Sequence, residues 1–122
     1  MTREDSAAIA DYLAGIDPDK RALIERYYDR VAALVPEAVI GRSYAMAGYL
    51  YRGQGLISIM ATKAGISIIP FSGAIAGLIP GLDTSGKGGS IYVTMTAPLP
   101  EAIIEEIVRL RRTEIDAAVR RR

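Results

Sequence analysis

The sequence predicts an α+β fold, a mostly antiparallel, curved sheet of about five strands flanked by N-terminal and C-terminal helices. Three observations predict it. Apolar residues recur with a helical period before residue 36 and after residue 100, and with a period of two between them. The strands follow one another as a run and do not alternate with helices, which excludes a doubly wound parallel sheet. The chain of 122 residues shows no repeat, low-complexity run or linker, so 1–122 is expected to form one domain.

A first short helix fits Ser6 to Ala14, with Ile9, Tyr12 and Leu13 on one face. Asp17 then stands where a capping side chain is wanted, and Pro18 takes the first helical position, where a missing N–H costs nothing. The second helix runs to about Val35 on a stripe of Leu23, Ile24, Tyr27, Val31 and Leu34, and Pro36 ends it. Candidate strands follow at Ala38 to Ala45, Gly48 to Arg52, Leu56 to Thr62 and Ile66 to Phe71, with "YRGQG" and "TKAG" as hairpin turns. "GAIAGLIPG" reads as a short helical turn and Ser90 to Met95 as a fifth strand. Pro100 opens the last helix, whose early glutamates and late arginines suit the helix dipole. Ile103, Ile104, Ile107 and Val108 form its core face, and residues 112–122 read as a basic helical tail.

Composition removes several function classes. With no Cys, disulfides, thiolate zinc sites and a cysteine nucleophile are excluded. With no His, a Ser-His-Asp triad and a histidine-ligated iron site are excluded as well. The net charge is +1, but residues 109–122 carry six Arg against two acids, leaving the body mildly acidic. Arginines at a helix end chiefly complement its dipole, so no nucleic-acid partner is expected. The N-terminal stretch has mixed charges and no apolar signal core, so a cytoplasmic location is expected. Ala64 to Leu82 is uncharged, yet Pro70, Pro80 and four glycines interrupt it, and no membrane span is expected.

Three constellations invite a chemical reading. Gly81 to Lys87 fits the G-x-x-x-x-G-K core of a phosphate loop. Gly88 then stands where Ser or Thr should hold magnesium, and a strand follows where a helix N-terminus should meet the phosphates. An NTPase is therefore not expected, although Lys87 could attract an anionic group. Glu101, Glu105 and Glu106 cluster at a helix start, where they complement the dipole and could hold a hard cation weakly. The sheet supplies the third. Tyr44 and Met46, Tyr49 and Tyr51, Ser58 and Met60, and Tyr92 and Thr94 each share a strand face. If these faces coincide, they line a surface of tyrosine hydroxyls and methionine that suits a small-molecule pocket or a partner interface.

The stretches "IADYLAGIDPDKRALIERYYDRVAALVPEA", "GLISIMATKAGISIIPFSG", "TSGKGGSIYV" and "APLPEAIIEEIVRLR" together resemble the bacterial YdhG-like family. That family is a domain of unknown function which includes a frataxin-like intracellular iron chaperone. Its usual Gly-Met-Pro-Ala-Tyr stretch corresponds to Ala45-Met46-Ala47-Gly48-Tyr49, with Ala45 and Ala47 replacing the typical Gly and Pro. The resemblance implies a YdhG-like, frataxin-like α+β fold and, as one role, iron delivery through Asp17, Asp19, Glu101, Glu105 and Glu106. The leading expectation is a non-enzymatic binding protein, with Tyr44, Met46, Tyr49, Lys87 and Tyr92 meeting a small ligand or protein partner. A structural homodimer is the other alternative.

Overall fold

The computed structural model describes residues 7–43, 46–84 and 89–120. In chain order these form α1 (Ala8–Leu13), α2 (Pro18–Leu34), β1 (Val39–Ser43), β2 (Met46–Tyr51), β3 (Gln54–Ala61), β4 (Gly65–Ile69), α3 (Gly73–Leu78), β5 (Ile91–Thr94) and α4 (Glu101–Arg120). The sheet is a meander in the order β1-β2-β3-β4-β5, antiparallel throughout. This is the expected α+β architecture.

Local chemistry explains the reversals. Between β2 and β3 the turn residues Arg52 and Gly53 have φ of 52° and 78°. Two successive positive φ values define the tight hairpin turn whose twist matches the strands, and Gly takes the second position without strain. Between β3 and β4 the Lys20 ammonium donates to the carbonyls of Thr62 (2.6 Å) and Lys63 (3.1 Å), tying the turn to α2.

Alternation sorts the sheet into two faces. Ala47, Tyr49, Ile57, Ile59, Ile66, Ile68, Ile91 and Val93 point to one side, where they join Ile24, Tyr27, Val31, Ile104 and Ile107 in the core. The helices that contact the sheet, α1, α2 and α4, do so on this side, and α3 packs on α4. The opposite face carries Val39, Met46, Met60, Ile69, Tyr92 and Thr94, all at least partly exposed.

One irregularity shapes the sheet. Tyr49 pairs with Ile57 but Leu50 pairs with Gly55, so Leu56 is an extra residue bulged out of the β2–β3 ladder. Beyond the bulge β2 leans onto β3. A Cβ on Gly48 would lie 2.4 Å from the carbonyl oxygen of Ile57, so only glycine fits there.

Two expectations are revised. Ser43 pairs with Met46, so the chain reverses before Met46, which belongs to β2 and not to the preceding strand. Asp17 occupies the N-cap position without a side-chain capping bond; its carbonyl accepts the Arg21 N–H at 2.8 Å instead. Residues 112–120 continue α4 as a helix, with Ile115 fully buried. No helix among the described residues is long and apolar enough to cross a membrane.

Candidate functional site

The clearest concavity lies between α2 and α4. The two helices run parallel, because their ion pairs advance in the same direction along both. Arg26 meets Glu101 at 3.6 Å, Arg30 meets Glu105 at 2.6 Å, and Glu37, just past α2, meets Arg112 at 2.7 Å. Where α2 ends, its last turn no longer fills the space beside α4. The groove left there holds about 420 Å³, within the range typical of small-molecule sites. Leu34, Val35, Ala102 and Val108 give it an apolar lining, and Glu105, Glu106, Arg109 and Arg112 line it with charge. Other depressions of about 370 to 530 Å³ lie elsewhere but are more open to solvent.

The charges around this groove are organised. Arg30 pairs with Glu105 on the groove wall, and Glu37 pairs with Arg112 further along it. Residues 105 and 112 are seven apart on α4, about 10 Å along the axis. Between them Arg109 grips both oxygens of Glu106. The Arg112 guanidinium also lies 5.0 Å over the Tyr51 ring, and the Tyr51 hydroxyl donates to Asp116 at 2.8 Å. That hydrogen bond, followed by the one from Arg52, holds the Asp116 carboxyl below its ordinary pKa. The β2–β3 hairpin is thereby clamped to α4. Arg30 also keeps its Nε buried with no hydrogen-bond partner.

The residues singled out in the sequence are scattered. Met46 and Tyr92 lie on the open face of the sheet, with Tyr92 41% exposed. Tyr49 is three residues from Met46 in one continuous strand and so faces the other way, into the helices. Its ring meets that of Tyr28 edge-on at a centroid distance of 5.6 Å. The expected common face of Met46, Tyr49 and Tyr92 is therefore not formed. Tyr44 and Lys87 lie outside the described residues. The loop before β5 leads into a strand, as expected, and Asp83 pairs there with Tyr92.

The acidic residues do not converge either. Asp17 and Asp19 sit at the start of α2, whereas Glu101 meets that helix at Arg26, about 10 Å further along its axis. Glu101, Glu105 and Glu106 each face an arginine. No group of three or more carboxylates able to hold a metal occurs among the described residues. These side chains do not fit a resident iron ion. The sequence did single out Glu105 and Glu106, but for metal binding and not as groove walls. The signal for the groove was Leu34, an apolar residue at the last position of its helix beside Pro36, which sequence reading assigned to the core stripe.

A second feature was hidden in the tyrosines. Past the bulge the β2–β3 ladder stops, and hydroxyls replace it. The Ile59 N–H donates to the Tyr28 hydroxyl at 2.7 Å, and the Ala61 N–H donates to the Tyr12 hydroxyl at 2.8 Å. The Ser58 hydroxyl donates to the Ala47 carbonyl at 2.5 Å. Burial pushes the Tyr28 pKa up to about 12. These side chains hold a seam in the sheet; they do not line an open site.

Comparison with solved structures gives one informative likeness. The chain superposes on the crystal structure of YdhG, a DUF1801-family protein from Bacillus subtilis, with a TM-score of 0.75. The match covers 88% of this chain and 90% of that one at 17% sequence identity. The two proteins share a fold, in agreement with the resemblance seen in the sequence. No family model and no curated relative matches the chain.

Proposed function

We propose that this chain is a YdhG-like, DUF1801-type protein that acts by binding, and that it holds a small ligand in the groove between α2 and α4. The shared fold over most of both chains supports the family reading. The groove itself carries the functional one: about 420 Å³ of space with an apolar lining and charged groups along its walls. A binding role also suits the composition, because a chain without His or Cys lacks the usual neutral-pH base and thiol nucleophile.

A metabolite screen by thermal shift tests the reading, run on the wild type and on Ala102→Trp. Ala102 is exposed on the groove wall, so a large side chain there fills the groove without entering the core. A ligand at about 100 times its Kd adds about 2.7 kcal/mol of stability, and only to the wild type. Ligands that stabilise both proteins equally, or none that stabilise the wild type, would remove the groove from consideration.

A second reading has its own observation. The open sheet face exposes Tyr92 (41%) across from the half-buried Met60 and, at the other edge of the sheet, Val39 (44%), and no described helix covers it. Such a face suits a protein partner, including a second copy of the chain.

A further inference from the structure

Resting on the groove as the binding site, we infer that its ligand is an uncharged, predominantly apolar molecule and not a metabolic anion or cation. The inference follows from how the charges beside the groove are spent. Glu105 already faces Arg30, Glu106 already faces Arg109, and Arg112 already faces Glu37. Each of the four charged lining residues thus has an opposite charge supplied by the protein.

A charged ligand must therefore share a group whose charge the protein already meets. At Glu105 a cation would share the carboxylate with the Arg30 guanidinium, and at Arg112 an anion would share the guanidinium with the Glu37 carboxylate. Both existing pairs are partly exposed, and such pairs are individually weak. Because the protein's own partner already offsets each charge, the net field that a charged ligand meets is small. The ligand's own desolvation is then left uncompensated. Charge on the ligand contributes no net affinity here and carries a cost.

Apolar surface behaves differently. Leu34 is half-buried at the end of α2, and Ala102 is exposed opposite it on α4. Covering these side chains removes apolar area from water on both partners and leaves every ion pair intact. On α4 the lining runs from Ala102 to Arg112, about 15 Å along the helix. A two-ring aromatic or a short aliphatic chain fits within that length and the volume of about 420 Å³.

Two fluorescent probes with the same ring skeleton separate the alternatives. N-phenyl-1-naphthylamine is uncharged, and 1-anilinonaphthalene-8-sulfonate adds one sulfonate. Each is titrated into the wild type, Ala102→Trp and Leu34→Glu at low and high salt, with thermal melts confirming that the variants fold. The neutral probe is expected to bind saturably at one site, with an affinity that changes less than about twofold with salt. Both substitutions should weaken it about tenfold or more. The sulfonate should bind the wild type about tenfold more weakly. Saturable binding of the sulfonate at equal or higher affinity, lost at high salt and abolished by Ala102→Trp, would overturn the ligand class and leave the groove standing. Absence of saturable binding by either probe, or equal binding of both to Ala102→Trp, would overturn the groove and this inference with it.

Discussion

Replacing Tyr28 with Phe tests the account of the sheet seam most directly. The substitution keeps the ring, its burial and its edge-on contact with Tyr49, and removes only the hydroxyl. That oxygen accepts the Ile59 N–H at 2.7 Å, while its contacts to the Ala47 and Ile59 carbonyls are long, at 3.4 and 3.5 Å. Ala47 keeps the Ser58 hydroxyl as its donor, so the loss concentrates on one buried amide left without an acceptor. Such a group costs about 1–3 kcal/mol. Unfolding entropy of about 2.1 cal/mol/K per residue, over 122 residues, converts 2 kcal/mol into a fall in Tm of about 8 °C. Urea melts of Tyr28→Phe and of the exposed control Tyr92→Phe provide the assay, with hydrogen exchange at the Ile59 amide as a local readout. Tyr92→Phe should stay within about 0.5 kcal/mol of the wild type. If Tyr28→Phe also lies within that margin, and Ile59 keeps its protection, the hydroxyl does not substitute for the ladder and the reasoning fails.

Alkaline stability follows from the same residue. Burial raises the Tyr28 pKa from its ordinary value near 10 to about 12, so the folded state holds this proton more tightly than the unfolded one. Stability is fully present below pH 10 and falls as pH rises toward 12, by roughly 2–3 kcal/mol from this group, and urea melts across that range should show a flatter limb for Tyr28→Phe. Gly48 in β2 and Gly55 in β3 should separate by what they touch. Gly48→Ala places a Cβ 2.4 Å from the backbone carbonyl of Ile57, whereas the atoms nearest a Cβ on Gly55 belong to the Phe71 side chain, at 2.7 Å. Thermal melts should show a loss of about 3 kcal/mol or more for the first and a smaller one for the second.

Much of the fold was legible because its signals are local. Pro18 and Pro36 bracket α2, Arg52-Gly53 reverses the chain, and the change of period at residue 38 marks the sheet. What escaped depends on register. A reversal placed two residues late assigns Met46 to the wrong strand, and with a period of two this misaligns its face with that of Tyr49. The bulge at Leu56 leaves no mark in composition, since "GLISIM" reads as an unbroken strand. The groove was less legible still. It arises from the place where one helix stops beside another, a relation between residues 34 and 102 that no window along the chain contains.

The parallel pairing of α2 and α4 also bears on how the molecule assembles. Every strand pairs with its neighbour in sequence, so β1 to β4 form through short turns, and only the connection 70–90 before β5 is long. The contact of Arg30 with Glu105 instead spans 75 residues and closes a far longer loop. Docking of α4 onto the face it shares with α1 and α2 therefore carries the larger closure entropy. Because the groove has one wall from each helix, it comes into being only with that closure. A ligand that occupied it would bind only molecules in which α4 is docked, and would favour that docked state by mass action.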